Sequence, residues 1–532
     1  MEKMMRQYSF TTWLKSLAVV FSIVIAFASC ANDDITQKVN TSTGDDKNLT
    51  VFSTGDPTTR TTMKDDGTFY WEAGDKIYVK DDNGTWNVSS NAPTGKTASF
   101  KFKVPGIYTA HSSYEVYYPG KNGNNDQVTI SAVQTQEKPN TTEHFGESGD
   151  CGMATATRIG TNHQFSFTLD HKAAYLVFQP YTSNTILHDC YLTKIEVTSD
   201  NDITDTYTLD PTADTGAGAL TGTGSGKQIV LTTKGSGSYA NGFPLTNNSA
   251  SLTTNGAYMV IKPGMHTLKI RYWVKDIVTN VEGTITKILA SHNFAKNEYV
   301  KMEADLKVRN YDGKHYYMYD AQKPYWEGYE WDNPNPALRF QPVLNTSTVY
   351  NYPQNNTDPR WWNESLIDGS STEPATTLFK SLPNVNEMAW YVKNGDPHQE
   401  LDELWTTMGH LHKGGAYILK RQYITGFSKT ISPDGSDMRG TAKIMAGTYN
   451  YTPIPIGDNK KYFFLPFLGV YIGNQFAELG EGGSGRYPAS SIYQNGGPWF
   501  GHPVLYMSPY SISVGFPDGA DAGEYVLPSL FE

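Results

Sequence analysis

Short stretches in which apolar and polar residues alternate constrain this chain more than any other feature. Ser99-Phe100-Lys101-Phe102-Lys103-Val104 repeats with a period of two, as do Glu115-Val116-Tyr117-Tyr118 and Gln164-Phe165-Ser166-Phe167-Thr168-Leu169. Lys194-Ile195-Glu196-Val197 and Thr267-Leu268-Lys269-Ile270-Arg271-Tyr272 follow the same rule. A period of two puts the apolar residues on one face of an extended strand, and Gly, Asn and Pro turns bound each stretch. The pattern predicts antiparallel strands stacked in sandwiches. Composition agrees: of 532 residues only 18% are charged, while 35 are Tyr and 48 Gly, which favours turn-rich β structure over helical bundles. The expected fold class is mainly β, with two β-sandwich domains followed by a loop-rich α+β module.

Helical periodicity is almost absent before residue 306. Beyond 307 the texture changes, with Tyr316, Tyr317, Tyr319, Tyr325, Trp326, Tyr329, Trp331, Trp361 and Trp362 crowded among Asn and Pro. One helix is predicted over 385–394, capped by Asn384, with Glu387 three residues on and Gly395 to end it. Residues 51–53 read as a short strand and 69–79 as another, and the Gly/Thr/Ser-rich 212–238 as a long loop or two weak strands. The predicted segments are 1–30, a signal; 31–50, a polar tether; 51–180 and 181–306, the two sandwiches; and 307–532, a C-terminal recognition module.

The chain opens with Lys3, Arg6 and Lys15, a short apolar run, and Ala28-Ser29-Cys30. The run suits a signal peptide and is too short to span a bilayer comfortably. Small residues directly before Cys30 resemble a bacterial lipobox, which implies lipidation of Cys30 and an outer-membrane anchor on the precursor. Asp33-Asp34 resembles the signal that sends Bacteroidetes lipoproteins to the cell exterior. Only Cys151 and Cys190 remain, and sequence leaves open either a disulfide between them or two buried thiols.

A net charge of −11 without a Lys/Arg cluster speaks against nucleic acid. No P-loop, Gly-x-Ser-x-Gly elbow, dinucleotide fingerprint or His-Glu-x-x-His motif is present, so neither an enzyme nor a cofactor or metal site is expected. The best titratable cluster, Asp396, His398, Glu400, Asp402 and Glu403 with His410 and His412 downstream, reads as surface charge and loop histidines. Trp326, Trp331, Trp361, Trp362 and Trp499 are candidate binding aromatics, able to stack on sugars or anchor a partner, or else to fill the core of a loop-rich module.

Thr59-Arg60-Thr61-Thr62 followed by Gly67-Thr68-Phe69-Tyr70-Trp71-Glu72-Ala73-Gly74-Asp75-Lys76-Ile77-Tyr78-Val79 resembles the opening of Bacteroidetes fimbrillin-like proteins. Val128-Thr129-Ile130-Ser131-Ala132-Val133-Gln134-Thr135, His144-Phe145-Gly146, Asp150-Cys151-Gly152-Met153-Ala154, Phe167-Thr168-Leu169-Asp170-His171-Lys172-Ala173-Ala174 and Asn293-Phe294-Ala295-Lys296-Asn297-Glu298-Tyr299-Val300 extend the resemblance over about 50–306. Leu382-Pro383-Asn384-Val385-Asn386-Glu387-Met388-Ala389-Trp390-Tyr391 and Tyr462-Phe463-Phe464-Leu465-Pro466 resemble the Fibrobacter succinogenes major paralogous domain, from which Gly497-Pro498-Trp499-Phe500-Gly501 departs.

The first resemblance implies transthyretin-like sandwiches and a fimbrial subunit at the cell surface. It also implies cleavage by an arginine-specific protease between Arg60 and Thr61, with Lys64 a lesser candidate. Loss of the first strand would open a groove that a neighbouring subunit fills by β-strand insertion. A long C-terminal module in place of a free donor tail points to the tip, with adhesion, biofilm formation, and host or bacterial surface ligands as its expected roles. The alternative is a non-polymerising surface lipoprotein that binds glycans or host proteins.

Overall fold

The computed structural model describes residues 49–531 apart from 55–61, 64–68, 162, 343–351, 354–357, 359, 361–376, 441–442, 473–474, 481, 491–492 and 495–499. The protein is mainly β, as expected. The alternating stretches form the strands Lys101–Pro105, Ser113–Tyr118, Gln164–Phe167, Cys190–Ser199 and Gly264–Asp276. In Lys101–Pro105 the inward residues are Phe102 and Val104, while both lysines face water.

The first sheet runs in the order Trp86–Val88, Tyr78–Lys80, Ser113–Tyr118, Gly152–Arg158, Gln164–Phe167, Leu49–Thr54, Lys101–Pro105. It curls until its ends meet, and Ser90 N–H donates to Lys103 O at 2.8 Å. The enclosed core is aromatic: Trp71 packs edge-on against Phe102 at 4.9 Å and Tyr118 at 5.4 Å. Residues 69–79 are not one strand. Trp71 bridges to Thr97, and a turn follows in which Gly74 takes φ +85° and donates its N–H to Pro93 O, so the chain reverses before Tyr78–Lys80.

The second unit packs the three-stranded sheet Ala257–Ile261, Ala174–Tyr181, Tyr299–Asp305 against part of a ten-stranded sheet. Phe178 meets Tyr272 across this core at 6.1 Å. The weak strands expected in 212–238 are Ala219–Thr221 and Gln228–Thr232.

The two units interleave, and the expected division at 180/181 is crossed twice. Gln127–Ile130 pairs with Asp205–Asp210, and Val133–Thr135 runs parallel to Gln228–Thr232, so this stretch is built into the second unit. Gly152–Arg158 and Gln164–Phe167 then return to the first sheet. Two buried glutamines hold the excursion in place. Gln134 Nε2 donates to Val260 O (2.8 Å) and Gln134 Oε1 accepts from Val260 N–H (3.0 Å). Gln136 does the same with Gly256 O (2.9 Å) and Tyr258 N–H (2.8 Å). Each side-chain amide thus completes the edge of Ala257–Ile261 as a neighbouring strand would.

A sheet also crosses the division expected at 306/307. Glu282–Phe294 of the second unit meets His398–Thr407 in parallel, pairing Thr284 with Glu403, and the ten-stranded sheet continues through His410–Leu419 to Tyr462–Pro466. The close approach needs Gly283, because a Cβ there would lie 2.4 Å from Asp402 O. Beyond the seam, the helix Val385–Asn394 packs on strands Met445–Gly447, Phe500–Met507 and Ile512–Gly519. It carries the predicted capping box: Glu387 N–H donates to Asn384 Oδ1 and Asn384 N–H to Glu387 Oε2, both at 3.0 Å.

Candidate functional site

The strand Leu49–Thr54 is the element whose position bears most on function. Its sequence, Leu-Thr-Val-Phe-Ser-Thr, carries no charge, and Thr50, Phe52 and Thr54 turn inward while Leu49, Val51 and Ser53 are half-buried. It lies inside the first sheet, antiparallel to Lys101–Pro105 with Phe52 opposite Phe102, and parallel to Gln164–Phe167 with Phe52 opposite Phe165. Phe52 is fully buried; its ring stacks on Phe165 at 5.0 Å and meets Tyr108 edge-on at 5.2 Å. At the strand's end, Thr54 N–H donates to Phe100 O (3.1 Å) and Thr54 Oγ1 accepts from Phe100 N–H (2.9 Å). Ser53 Oγ donates to Phe165 O at 3.1 Å.

The rings against Phe52 are those of Tyr108 and Phe165, and the Arg158 guanidinium lies over Phe165 at 4.9 Å. Burial pushes the Tyr108 hydroxyl far above its usual range, and this neutral group donates to Pro105 O at 3.1 Å. Taking Leu49–Thr54 away would bare two rows of ladder donors and acceptors and an aromatic pocket, a surface complementary to an extended apolar strand. Arg60 and Thr61, which lie outside the described residues, fall between this strand and the hairpin of Thr62–Met63 with Phe69–Tyr70. A cut there would sever Leu49–Thr54 from everything that follows.

The other sequence candidates are placed as follows. Cys30, Trp361, Trp362 and Trp499 lie outside the described residues. Cys151 and Cys190 are free, buried thiols, so the disulfide left open by the sequence is not formed. Burial raises both, Cys190 to about 12, and Cys190 Sγ donates to Ile186 O. Trp326, 3% exposed, sits in the C-terminal core 5.6 Å from Tyr471, which corrects its candidacy as a binding platform. Trp331 packs beside Gly313 and Gly409, whose missing side chains make room for the indole, and is likewise not a free platform.

The titratable cluster divides between two structural roles. Asp396 accepts from Asn450 Nδ2 (2.8 Å), Tyr462 Oη (2.8 Å) and His398 Nε2 (3.0 Å), which locks a loop. Glu400 and Asp402 each accept from Arg271 Nη2 at 3.2 Å across the seam, with Glu196 at 3.5 Å. Glu403 accepts from Thr286 Oγ1 at 3.1 Å, and burial pushes it up to about 7. His412 stacks on Trp405 at 5.0 Å, and burial lowers it to about 4. Among the described residues no three His, Cys, Asp or Glu converge as metal ligands. Sequence reasoning missed Phe52, Phe165 and Tyr108 as a groove. Phe165 and Phe52 stood in stretches that read as strands, but nothing in one sequence shows which strands are neighbours.

No protein-family model matches the chain, and no curated protein matches it. Solved structures similar to it include a candidate cell adhesion protein of Bacteroides uniformis (14% identity, 50% of this chain and 94% of that one, TM-score 0.27). A fimbrial protein of Bacteroides ovatus is 12% identical over 51% of this chain and 52% of that one, with a TM-score of 0.23. The fimbrial anchor protein Mfa2 of Porphyromonas gingivalis is 10% identical over 46% of this chain and 83% of that one, with a TM-score of 0.21.

Proposed function

We propose that this protein is a structural subunit of a surface fimbrium, carried to the outer membrane as a precursor lipidated at Cys30 and released by cleavage after Arg60. The observation that carries this reading is the place of Leu49–Thr54: an uncharged strand in mid-sheet, joined to the rest of the chain through the segment that holds Arg60. Its loss opens a groove, and the terminal strand of a neighbouring subunit fills it, with ladder bonds giving affinity and a residue in the Phe52 pocket fixing register.

On this reading the subunit sits at the tip, with residues 524–531 held in its own C-terminal core rather than offered as a donor strand. In support, Glu524–Tyr525 pairs with Tyr316–Tyr317, and Val526 and Phe531 are buried, so the 524–531 segment is bound up in the C-terminal core. On this reading the C-terminal module touches host or bacterial surfaces and serves adhesion and biofilm formation. The test is to treat the full chain with an arginine-specific protease and add a synthetic donor-strand peptide. The reading expects a stable complex from wild type and none from Arg60→Ala. Equal peptide capture by both would favour a non-polymerising surface lipoprotein.

A further inference from the structure

We infer that the neighbouring subunit whose strand replaces Leu49–Thr54 rests its body on the rim of the first sheet beside Leu49, against Ile107 and Ile159, and that its strand runs in the direction of the one it replaces. The inference rests on the strand-insertion reading above and adds to it a contact surface and a direction.

Two isoleucines mark this rim. Leu49 pairs with Pro105, and Ile107 stands two residues beyond that partner. On the other side Val51 pairs with Gln164, and Ile159 N–H donates to Gln164 O at 2.8 Å. Ile107 is 53% exposed and Ile159 44%. Arg158 ties the two positions together, its Nη2 donating to Tyr108 O at 3.2 Å and His111 O at 2.7 Å. The opposite end differs: Thr54 is flanked by Phe100 and Phe167, neither of them exposed. Val88, the other large apolar side chain that the first unit exposes among the described residues, lies in Trp86–Val88, which does not border Leu49–Thr54.

Charged groups of the rim are engaged within it. Asp82 accepts from Thr109 N–H (2.8 Å), Ala110 N–H (2.9 Å) and Tyr114 Oη, and Asp81 Oδ1 accepts from the N–H groups of Asn83 and Thr85, both at 3.0 Å. The residues just ahead of Leu49, Gly44-Asp45-Asp46-Lys47-Asn48, are polar throughout and do not match two isoleucines. A body that brings apolar residues to this rim does match them, and gains in proportion to the area it covers. Direction follows from the far end. Ser53 Oγ donates to Phe165 O at 3.1 Å, and Thr54 Oγ1 accepts from Phe100 N–H at 2.9 Å. A strand that arrives past the isoleucines delivers its last two residues to these partners, where hydroxyls are held. A reversed strand would set its body beside Thr54, away from both isoleucines.

Calorimetry on the full chain, cut by the arginine-specific protease, tests this with two synthetic peptides. One extends the core Thr-Val-Phe-Ser-Thr by Ile-Leu at its start, the other by Leu-Ile at its end. The first should bind at least about tenfold tighter. That advantage should vanish in Ile107→Ser/Ile159→Ser, while the melting temperature of the uncut double variant stays unchanged. Equal affinities, tighter binding of the second peptide, or an advantage that survives the double variant would overturn the inference and leave strand insertion standing. So would a lowered melting temperature, which would mean that the chain's own leading residues cover the isoleucines. Binding of neither peptide would bring down strand insertion itself, and this inference with it.

Discussion

Phe52 and Phe165 stack with centroids 5.0 Å apart and planes 14° from parallel, joining the first described strand of the chain to one more than a hundred residues later. The contact belongs to a parallel pair that neighbours in sequence could not make, and it places Leu49–Thr54 between two strands that do not bond each other. Such a strand can leave without unthreading the remainder, provided the chain is cut after it.

Phe52→Ala should destabilise the uncut chain by about 3–5 kcal/mol, the usual cost of emptying a buried phenylalanine site. After cleavage at Arg60 the same substitution should have no effect on the remaining body, since the residue has gone. Thermal denaturation of cut and uncut samples checks both halves.

The seam between the second unit and the C-terminal module depends on Gly283 and Arg271. Gly283→Val would drive side-chain atoms into Asp402 O, and Arg271→Ala would take from Glu196, Glu400 and Asp402 the cation they share, leaving Asp402 with Lys413 at 3.6 Å. Each should cost on the order of 2–4 kcal/mol and raise hydrogen exchange in His398–Thr407, while exchange in Leu49–Thr54 stays unchanged.

Gln134→Leu should be worse than its near-equal volume suggests. It keeps the packing but strips partners from both Val260 N–H and Val260 O, at about 1–3 kcal/mol for each buried group. Equilibrium denaturation that shows a loss under about 1 kcal/mol would contradict the edge-sealing role.

Stability of the C-terminal core should fall as pH rises from about 6.5 to 8, above the range in which His412, lowered by burial, would act in the opposite sense. Burial raises Glu524 to about 7 against the ordinary 4.5, with His502 Nε2 at 2.6 Å opposing the rise. Burial pulls His502 down, but Glu524, Asp518 and Asp521 together leave it raised. Both groups hold protons more tightly folded than unfolded, so the contribution is complete below the unfolded values and is lost as pH climbs through the folded ones. Glu403 in the seam adds to the same slope. Melting temperatures across this range should drop in wild type and drop less in Glu524→Gln.

Local features were legible because their causes are local. Alternation marked Lys101–Pro105 and Gln164–Phe167, and Asn384 with Glu387 marked the start of the helix. Pairing was not legible: neither the return of Gly152–Arg158 to the first sheet nor the glutamine edge at Val260 leaves a periodic trace. Trp326 shows the converse limit, since a buried indole and a binding platform have the same composition around them. The groove was half visible. Residues 51–53 read as a strand ahead of Arg60, but its place between Phe102 and Phe165 is a property of the fold.

The most direct test of the account is intact-mass and N-terminal analysis of the protein recovered from assembled surface fibres. The account predicts a chain that begins at Thr61, without lipid and without Leu49–Thr54. A fibre-borne chain that begins at acylated Cys30 and keeps that strand would contradict it.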